Sequence, residues 1–148
     1  MYERFSDPAR RAMGETQQEA LLMGHQYIGT EHILVALAGE PDGIAFTVLQ
    51  SLDISAETVR EQVARFVTTG PPIVRPEIPW WMFWRSSRLP QTPTTRRIIE
   101  LGMEEAHSAG VSYVGTEHLL LGASRVDEGI AAHVLRARGA DRESLFHL

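Results

Sequence analysis

Hydrophobic residues along the chain recur with the period of an α-helix. In the segment after residue 92, Ile98, Ile99, Met103 and Ala106 follow one another at steps that return to one face of a helix. This spacing gives a helix one apolar side to bury against its neighbours. No stretch shows the sustained alternation of apolar and polar residues that marks a half-buried strand. The pattern therefore predicts an all-α fold.

Capping residues and glycines divide the first half of the chain into four predicted helices. Serine and threonine favour the position before a helix, because their hydroxyl groups accept a hydrogen bond from a free backbone amide. Glycine and proline mark helix ends. The predicted helices run from the cap Ser6 to Met23, from the cap Thr30 to Ala38, from Gly43 to Leu49 and from the cap Ser55 to Val67.

The second half predicts four further helices with the same signals. Thr92 and Pro93 form a strong start, since proline at the first helical position loses no hydrogen bond. Thr116 is the predicted cap of the next helix. The predicted ranges are 93–108, 116–124, 129–138 and 141–148.

The two halves are copies of one unit. The segment 27–34, Tyr-Ile-Gly-Thr-Glu-His-Ile-Leu, returns at 113–120 as Tyr-Val-Gly-Thr-Glu-His-Leu-Leu, 86 residues later. The same offset, without a gap, aligns Arg10-Arg11 with Arg96-Arg97 and Val48-Leu49 with Val134-Leu135. The sequence thus predicts a tandem repeat of two four-helix units, at 1–67 and 92–148, joined by a linker at 68–91.

The predicted linker is rich in proline and aromatic residues. It has five prolines, which exclude a long regular helix, and it contains Trp80, Trp81, Phe83 and Trp84. These aromatic residues have three interpretations. They fold back onto the domain as additional core, they form an exposed anchor for a protein partner, as tryptophan and arginine do at interface hot spots, or they associate with a membrane surface.

Composition excludes several classes of function. The net charge of -5 leaves no positive excess for a phosphate backbone, so nucleic acid is not the expected partner. The chain has no cysteine, and all 14 of its basic residues are arginine, which excludes thiolate metal sites, lysine Schiff bases and a phosphate-binding P-loop. With no signal peptide and no apolar run of about 18 residues, we expect a cytoplasmic protein that makes no membrane contact.

Each repeat offers an acidic residue and a helix start as candidate binding groups. Glu31 and Glu117 lie in the first turn of a predicted helix, where an acid also interacts favourably with the helix dipole. A carboxylate can instead clasp a guanidinium group through two parallel hydrogen bonds. Ser6 and Thr92 begin the first helix of each copy, where free backbone amides can hold an anion. We expect the acid and the helix start of one copy to form one site.

The histidines of the motif suggest a metal site only weakly. His32 and His118, with His25 nearby, lack the His-Glu-x-x-His spacing that places two ligands on one helix face. A histidine within a helix is more often packed or hydrogen-bonded in the core. We therefore predict no metal and no cofactor.

Several spaced motifs resemble the N-terminal domain of the Clp/Hsp100 unfoldases, most closely the ClpC type. They are Glu-Arg-Phe-Ser at 3–6, the repeated Gly-Thr-Glu-His motif, acidic-Gly-Ile-Ala at 42–45 and 128–131, and Thr92-Pro93. The resemblance implies a pseudo-twofold domain of eight helices that docks adaptors and substrates of a Clp protease. It also implies phosphoarginine binding by Glu31 and Glu117, and we expect the adjacent Thr30 and Thr116 to contact the same ligand. Relatives of this type also bind cyclic-peptide antibiotics, which makes such peptides a second candidate ligand.

The sequence contains no ATP-binding motif, so the resemblance implies either an excised domain or a free-standing homologue of the ClpC domain that acts by recognition. The long, tryptophan-rich linker favours the second. We expect the protein to be non-catalytic, and to bind substrates or adaptors, including arginine-phosphorylated proteins, or to sequester cyclic peptides. Two alternatives stay open. One is a regulatory partner that binds the Clp unfoldase through the linker tryptophans. The other is a small metal-dependent hydrolase that uses Glu31, His32, Glu117 and His118.

Overall fold

Seven helices account for most of the described chain. The computed structural model describes residues 4–66, 89–140 and 145. Within these residues no strand is longer than a single bridged pair. The helices are α1 (Asp7–Leu22), α2 (Thr30–Ala38), α3 (Ile44–Ser51), α4 (Ala56–Phe66), α5 (Pro93–Ser108), α6 (Thr116–Ser124) and α7 (Ile130–Ala137).

The predicted all-α fold is confirmed, and most helix limits agree within two residues. The ranges predicted for α5 and α6 are those observed. Ser55 caps α4 as predicted, since its Oγ accepts the backbone N–H of Thr58 at 3.1 Å. Of the helix predicted at 141–148 only Leu145 is described, and it is helical and buried. Val67 and the aromatic residues Trp80, Trp81, Phe83 and Trp84 lie outside the described residues, and the division at 68–91 stays a prediction.

The second helix of each repeat lies at the centre of the core. Every residue of α2 is buried, and α6 buries Leu119, Leu120 and Ala123. Helix α1 packs on α2 and α5 packs on α6, while α2 also contacts α6 and α7 of the second repeat. Because α2 touches both repeats, its first turn is positioned by the whole domain.

Each repeat begins by pairing with the motif of the other repeat. The backbone N–H of Ser6 donates to the carbonyl of Val114 at 2.9 Å, and the N–H of Val114 donates to the carbonyl of Arg4 at 2.8 Å. The equivalent pairing in the first repeat joins Ile28 to the segment 90–92, with bonds of 2.8 and 3.1 Å. The start of α1 therefore lies against the second motif, and the start of α5 lies against the first.

The threonines of the motifs do not cap their own helices. This corrects the prediction for Thr30 and Thr116, which are the first residues of α2 and α6 and follow the N-cap glycines. Thr30 Oγ1 instead accepts the backbone N–H of Ala131 at 3.3 Å, and Thr116 Oγ1 accepts that of Ala45 at 3.2 Å. Each hydroxyl thus caps the third helix of the opposite repeat. Local sequence rules find the capping residue but not a partner 101 positions away.

These crossed caps require glycine on the receiving helix. A Cβ atom at Gly129 would lie 2.5 Å from Thr30 Oγ1, and one at Gly43 would lie 2.6 Å from Thr116 Oγ1. Gly129 also has a φ of 98°, which side-chain-bearing residues rarely adopt. The threonine hydroxyl therefore packs directly against the glycine that precedes the third helix of the other repeat.

We predict that Gly129→Ala destabilises the domain more than Gly139→Ala. Gly139 also has a positive φ, 69°, but nothing lies within 4 Å of its Cβ position. The control variant should cost about 1 kcal/mol for backbone strain alone. Gly129→Ala should cost at least about 1 kcal/mol more, because Gly129 has φ 98° and ψ 167°, a region essentially restricted to glycine, and because the new Cβ also disturbs the Thr30 cap. Urea unfolding measures both, and equal losses would contradict the crossed cap.

Candidate binding sites at the two motifs

A histidine in each motif holds the backbone at the start of the second helix. His32 Nδ1 accepts the N–H of Gly29 at 2.9 Å, and His118 Nδ1 accepts the N–H of Gly115 at 2.9 Å. Each ring stands at the third helical position, where a side chain can reach back to the N-cap amide. The histidines thus take over part of the capping that sequence rules assigned to the threonines.

The hydrogen bond to Gly29 also fixes the tautomer of His32. Because Nδ1 accepts a hydrogen bond, the neutral ring must carry its own hydrogen on Nε2. Nε2 lies 2.8 Å from His25 Nδ1, which accepts this hydrogen. Burial, with a further contribution from the neighbouring His25, lowers the pKa of His32 to about 3. The ring is therefore neutral at physiological pH and relays hydrogen bonds from Gly29 to His25.

This relay disfavours a metal ion at the same place. Potential ligand atoms of His25, Glu31 and His32 lie within 4.8 Å of one another, the kind of cluster that the sequence suggested only weakly. A metal on His32 Nε2 would require that nitrogen to lose its proton while Nδ1 still accepts from Gly29. The ring would then be an imidazolate anion. The hydrogen bonding favours the neutral relay over metal coordination.

The carboxylate of each motif glutamate folds back over the preceding glycine. A Cβ atom at Gly29 would lie 2.5 Å from Glu31 Oε1, and one at Gly115 would lie 2.4 Å from Glu117 Oε1. Only a glycine leaves room for the acid in this position. The Gly-Thr-Glu-His sequence therefore places the carboxylate on the surface of the backbone turn.

The two glutamates differ in their surroundings. The Glu31 side chain is 5% exposed, and its Oε1 atom is buried without a hydrogen-bond partner. Burial raises the pKa of Tyr27, and the Glu31 carboxylate adds to this shift through its charge and a hydrogen bond. The Glu117 side chain is 24% exposed. It lines a groove of about 510 Å³ between the repeats.

The predicted caps Ser6 and Thr92 are confirmed. Ser6 Oγ accepts the N–H of Ala9 at 3.3 Å, and Thr92 Oγ1 accepts the N–H of Thr95 at 3.2 Å. The structure differs from the sequence prediction in their neighbours, since backbone pairing places Ser6 beside the second motif and Thr92 beside the first. Each candidate site therefore draws its acid from one repeat and its helix start from the other.

With this geometry in place, comparison with known proteins identifies the family. Residues 4–138 match the model of the family described as the Clp repeat (R) N-terminal domain. The chain belongs to this family. The duplicated helical unit and the Clp resemblance deduced from the motifs are thus confirmed.

Chloroplast chaperones are among the relatives of this Clp domain. The chain is 41% identical over 145 residues to the chloroplast chaperone ClpC1 of Oryza sativa subsp. japonica, and 42% identical over 141 residues to the chloroplast chaperone ClpC of Pisum sativum. These alignments cover 98% and 95% of the chain but only 15% and 14% of the relatives. The cytoplasmic location stays a prediction, and among the described helices none is long and apolar enough to cross a membrane.

Solved structures share the fold. The N-terminal domain of ClpD from Arabidopsis thaliana is 26% identical with a TM-score of 0.73, over 98% of this chain and 94% of that one. The N-terminal domain of the ClpV1 ATPase from E. coli is 16% identical with a TM-score of 0.67, over 99% of this chain and 84% of that one. At 16% identity, the likeness to the ClpV1 domain shows the fold alone.

We predict that acid destabilises the domain through His32. The unfolded histidine titrates near pH 6.5, and the folded one at about 3. Between these values the unfolded state binds more protons, so stability falls as pH falls. The loss from pH 7.5 to pH 5 should be about 2 kcal/mol from this residue. Urea unfolding of wild type and His32→Asn, which keeps an acceptor for Gly29 but does not titrate, should reveal the difference.

His107→Gln is the matched control, since His107 is exposed near the end of α5. It should retain the pH dependence of the wild type. An equal acid sensitivity in His32→Asn would contradict the assignment to His32.

Proposed function

We propose that this Clp domain is a non-catalytic recognition module that binds phosphoarginine on protein substrates or adaptors. In this proposal Glu31 and Glu117 bind the guanidinium group. The backbone amides of Asp7, after Ser6, and of Thr94, after Thr92, bind the phosphoryl group. Pro8 and Pro93 have no N–H, and the amides of Ala9 and Thr95 already donate to the caps. No cofactor is needed, because the ligand is held only by hydrogen bonds and charge.

The buried carboxylate of Glu31 carries this proposal. A buried carboxylate oxygen without a partner costs free energy, and a hydrogen-bonded cation offsets that cost. Oε1 of Glu31 has no partner among the described residues, and the side chain is 5% exposed. A planar guanidinium group has the charge and the paired donors to fill this position.

The crossed backbone pairing supports the second half of the proposal. Thr92 lies beside Ile28, three residues before Glu31, and Ser6 lies beside Val114, three residues before Glu117. A ligand with a cationic and an anionic group could therefore span an acid and a helix start. The hydroxyls of Thr30 and Thr116 are already engaged in the crossed caps, so we assign them no ligand.

The other functions stay predictions. Sequestration of cyclic peptides is compatible with a binding module but has no specific support from the described contacts. Docking to an unfoldase through Trp80, Trp81, Phe83 and Trp84 concerns residues outside the described chain. The hydrolase alternative is disfavoured, because His32 is fully buried and engaged on both ring nitrogens.

We predict that Glu31→Gln combined with Glu117→Gln strongly weakens phosphoarginine binding at both sites. Each change keeps the volume of the side chain but removes the charge that attracts the guanidinium group. Loss of one charged hydrogen-bonded contact of about 1.5–3 kcal/mol weakens a site by roughly 10- to 150-fold. Isothermal titration of phosphoarginine into wild type and variant measures the effect.

Glu57→Gln is the matched control, because Glu57 is an exposed acid in the first turn of α4. It should bind as the wild type does. Equal binding by wild type and the double variant would reject the proposed function.

A further inference from the structure

We propose that the two candidate sites differ in accessibility. His25 closes the first site, which contains Glu31, whereas Val111 leaves the second site, which contains Glu117, open. The ligand named in this inference rests on the proposed function, but the difference between the sites does not. In this proposal the first site admits phosphoarginine only as the free amino acid. The second accepts the same group when it is carried on a peptide.

His25 and Val111 occupy equivalent positions in a repeat whose motifs are otherwise closely matched. The offset of 86 residues that aligns the motifs places Val111 opposite His25. The tyrosines, glycines, threonines, glutamates and histidines that follow are the same in both copies. A difference between the two sites that begins with this pair is therefore built into the sequence.

His25 joins three side chains of the first site into one closed cluster. Its ring stacks on Tyr27 with centroids 5.2 Å apart and an interplanar angle of 12°. Its Nδ1 accepts from His32 Nε2 at 2.8 Å. Tyr27, held by this stack, lies close enough to Glu31 for the carboxylate charge to add to the burial that raises the pKa of Tyr27. Since His25 is itself buried, these contacts enclose the carboxylate.

Val111 cannot reproduce these contacts. It offers neither an acceptor for His118 nor a ring to stack on Tyr113. Tyr113 is 46% exposed, whereas Tyr27 is only partly exposed. Glu117 is 24% exposed against 5% for Glu31. The second carboxylate is therefore the accessible one.

The open site continues into the groove between the repeats. Glu117 lines this groove together with Glu105, Ser108 and His118. The rest of the lining is apolar and includes Ile44, Val48, Leu120, Leu121 and Leu145. Ile44 is 56% exposed although it is apolar. The carboxylate suits a guanidinium group, and the walls suit apolar side chains next to it. The occupant we infer is a protein segment in which phosphoarginine is flanked by apolar residues.

Carboxyl labelling of the intact chain with a water-soluble carbodiimide and an amine, followed by mass spectrometry, tests the inequality without any ligand. Glu117 should react several-fold faster than Glu31. His25→Val should accelerate Glu31 towards the rate of Glu117, and Val111→His should slow Glu117. His25→Gln, which keeps an acceptor for His32, should leave Glu31 slower than it is in His25→Val.

Exposed Glu57 should react at one rate in all variants, and thermal unfolding should confirm that each variant is folded. Equal rates for Glu31 and Glu117 in the wild type would overturn the inference. So would a folded His25→Val variant in which the Glu31 rate does not change.

Titration separates this inference from the proposed function. Wild type should bind about two equivalents of free phosphoarginine but one equivalent of a leucine-flanked phosphoarginyl peptide, and Glu117→Gln should remove the peptide binding. His25→Val should bind a second equivalent of peptide. If neither compound binds while the labelling pattern holds, the proposed function fails and the unequal sites stand. If two peptides bind the wild type equally, the inference fails and the proposed function stands.

Discussion

The exchange of helix caps between the repeats is the interaction on which the rest of the structure depends. Thr30 completes the start of α7, and Thr116 completes the start of α3. An N-cap contributes about 1 kcal/mol, but its position matters more than its energy. Each cap fixes the first turn of a motif helix against the opposite repeat. The carboxylates and histidines of the motifs follow directly from that placement.

The four residues of the Gly-Thr-Glu-His motif therefore divide the work of one turn. The glycine leaves space for a carboxylate, and the histidine satisfies the glycine amide. The threonine leaves its own helix to cap another. The glutamate is the one member whose polar atoms the fold does not satisfy in the first repeat. A motif can thus be nearly invariant between repeats for structural reasons and still present one group for a ligand.

Much of this could be predicted from the sequence, because it depends on neighbours along the chain. Pro93 after Thr92, the apolar spacing of α5 and the offset between the motifs indicated the helices and the duplication. The caps of Thr30 and Thr116 could not be predicted, since each partner lies in the other repeat. The prediction that Ser6 and Glu31 belong to one site was wrong for the same reason, because backbone pairing places Ser6 beside the second motif. The contrast between His25 and Val111 was visible as a mismatch in the aligned repeats, but its meaning required the ring stack on Tyr27.

The pairing of Phe5 with Val114 and of Ile28 with Gln91 has a consequence for how such a domain is built. Each contact joins the start of one repeat to the motif of the other. The same two surfaces therefore meet twice, as they do across the interface of a twofold homodimer. The molecule is in this sense a dimer whose subunits share one chain. A covalent tether sets the effective concentration of one half around the other, but it does not determine which surfaces make contact. Once the halves were fused, each copy could change on its own, and an asymmetry such as His25 against Val111 became available to a symmetric fold.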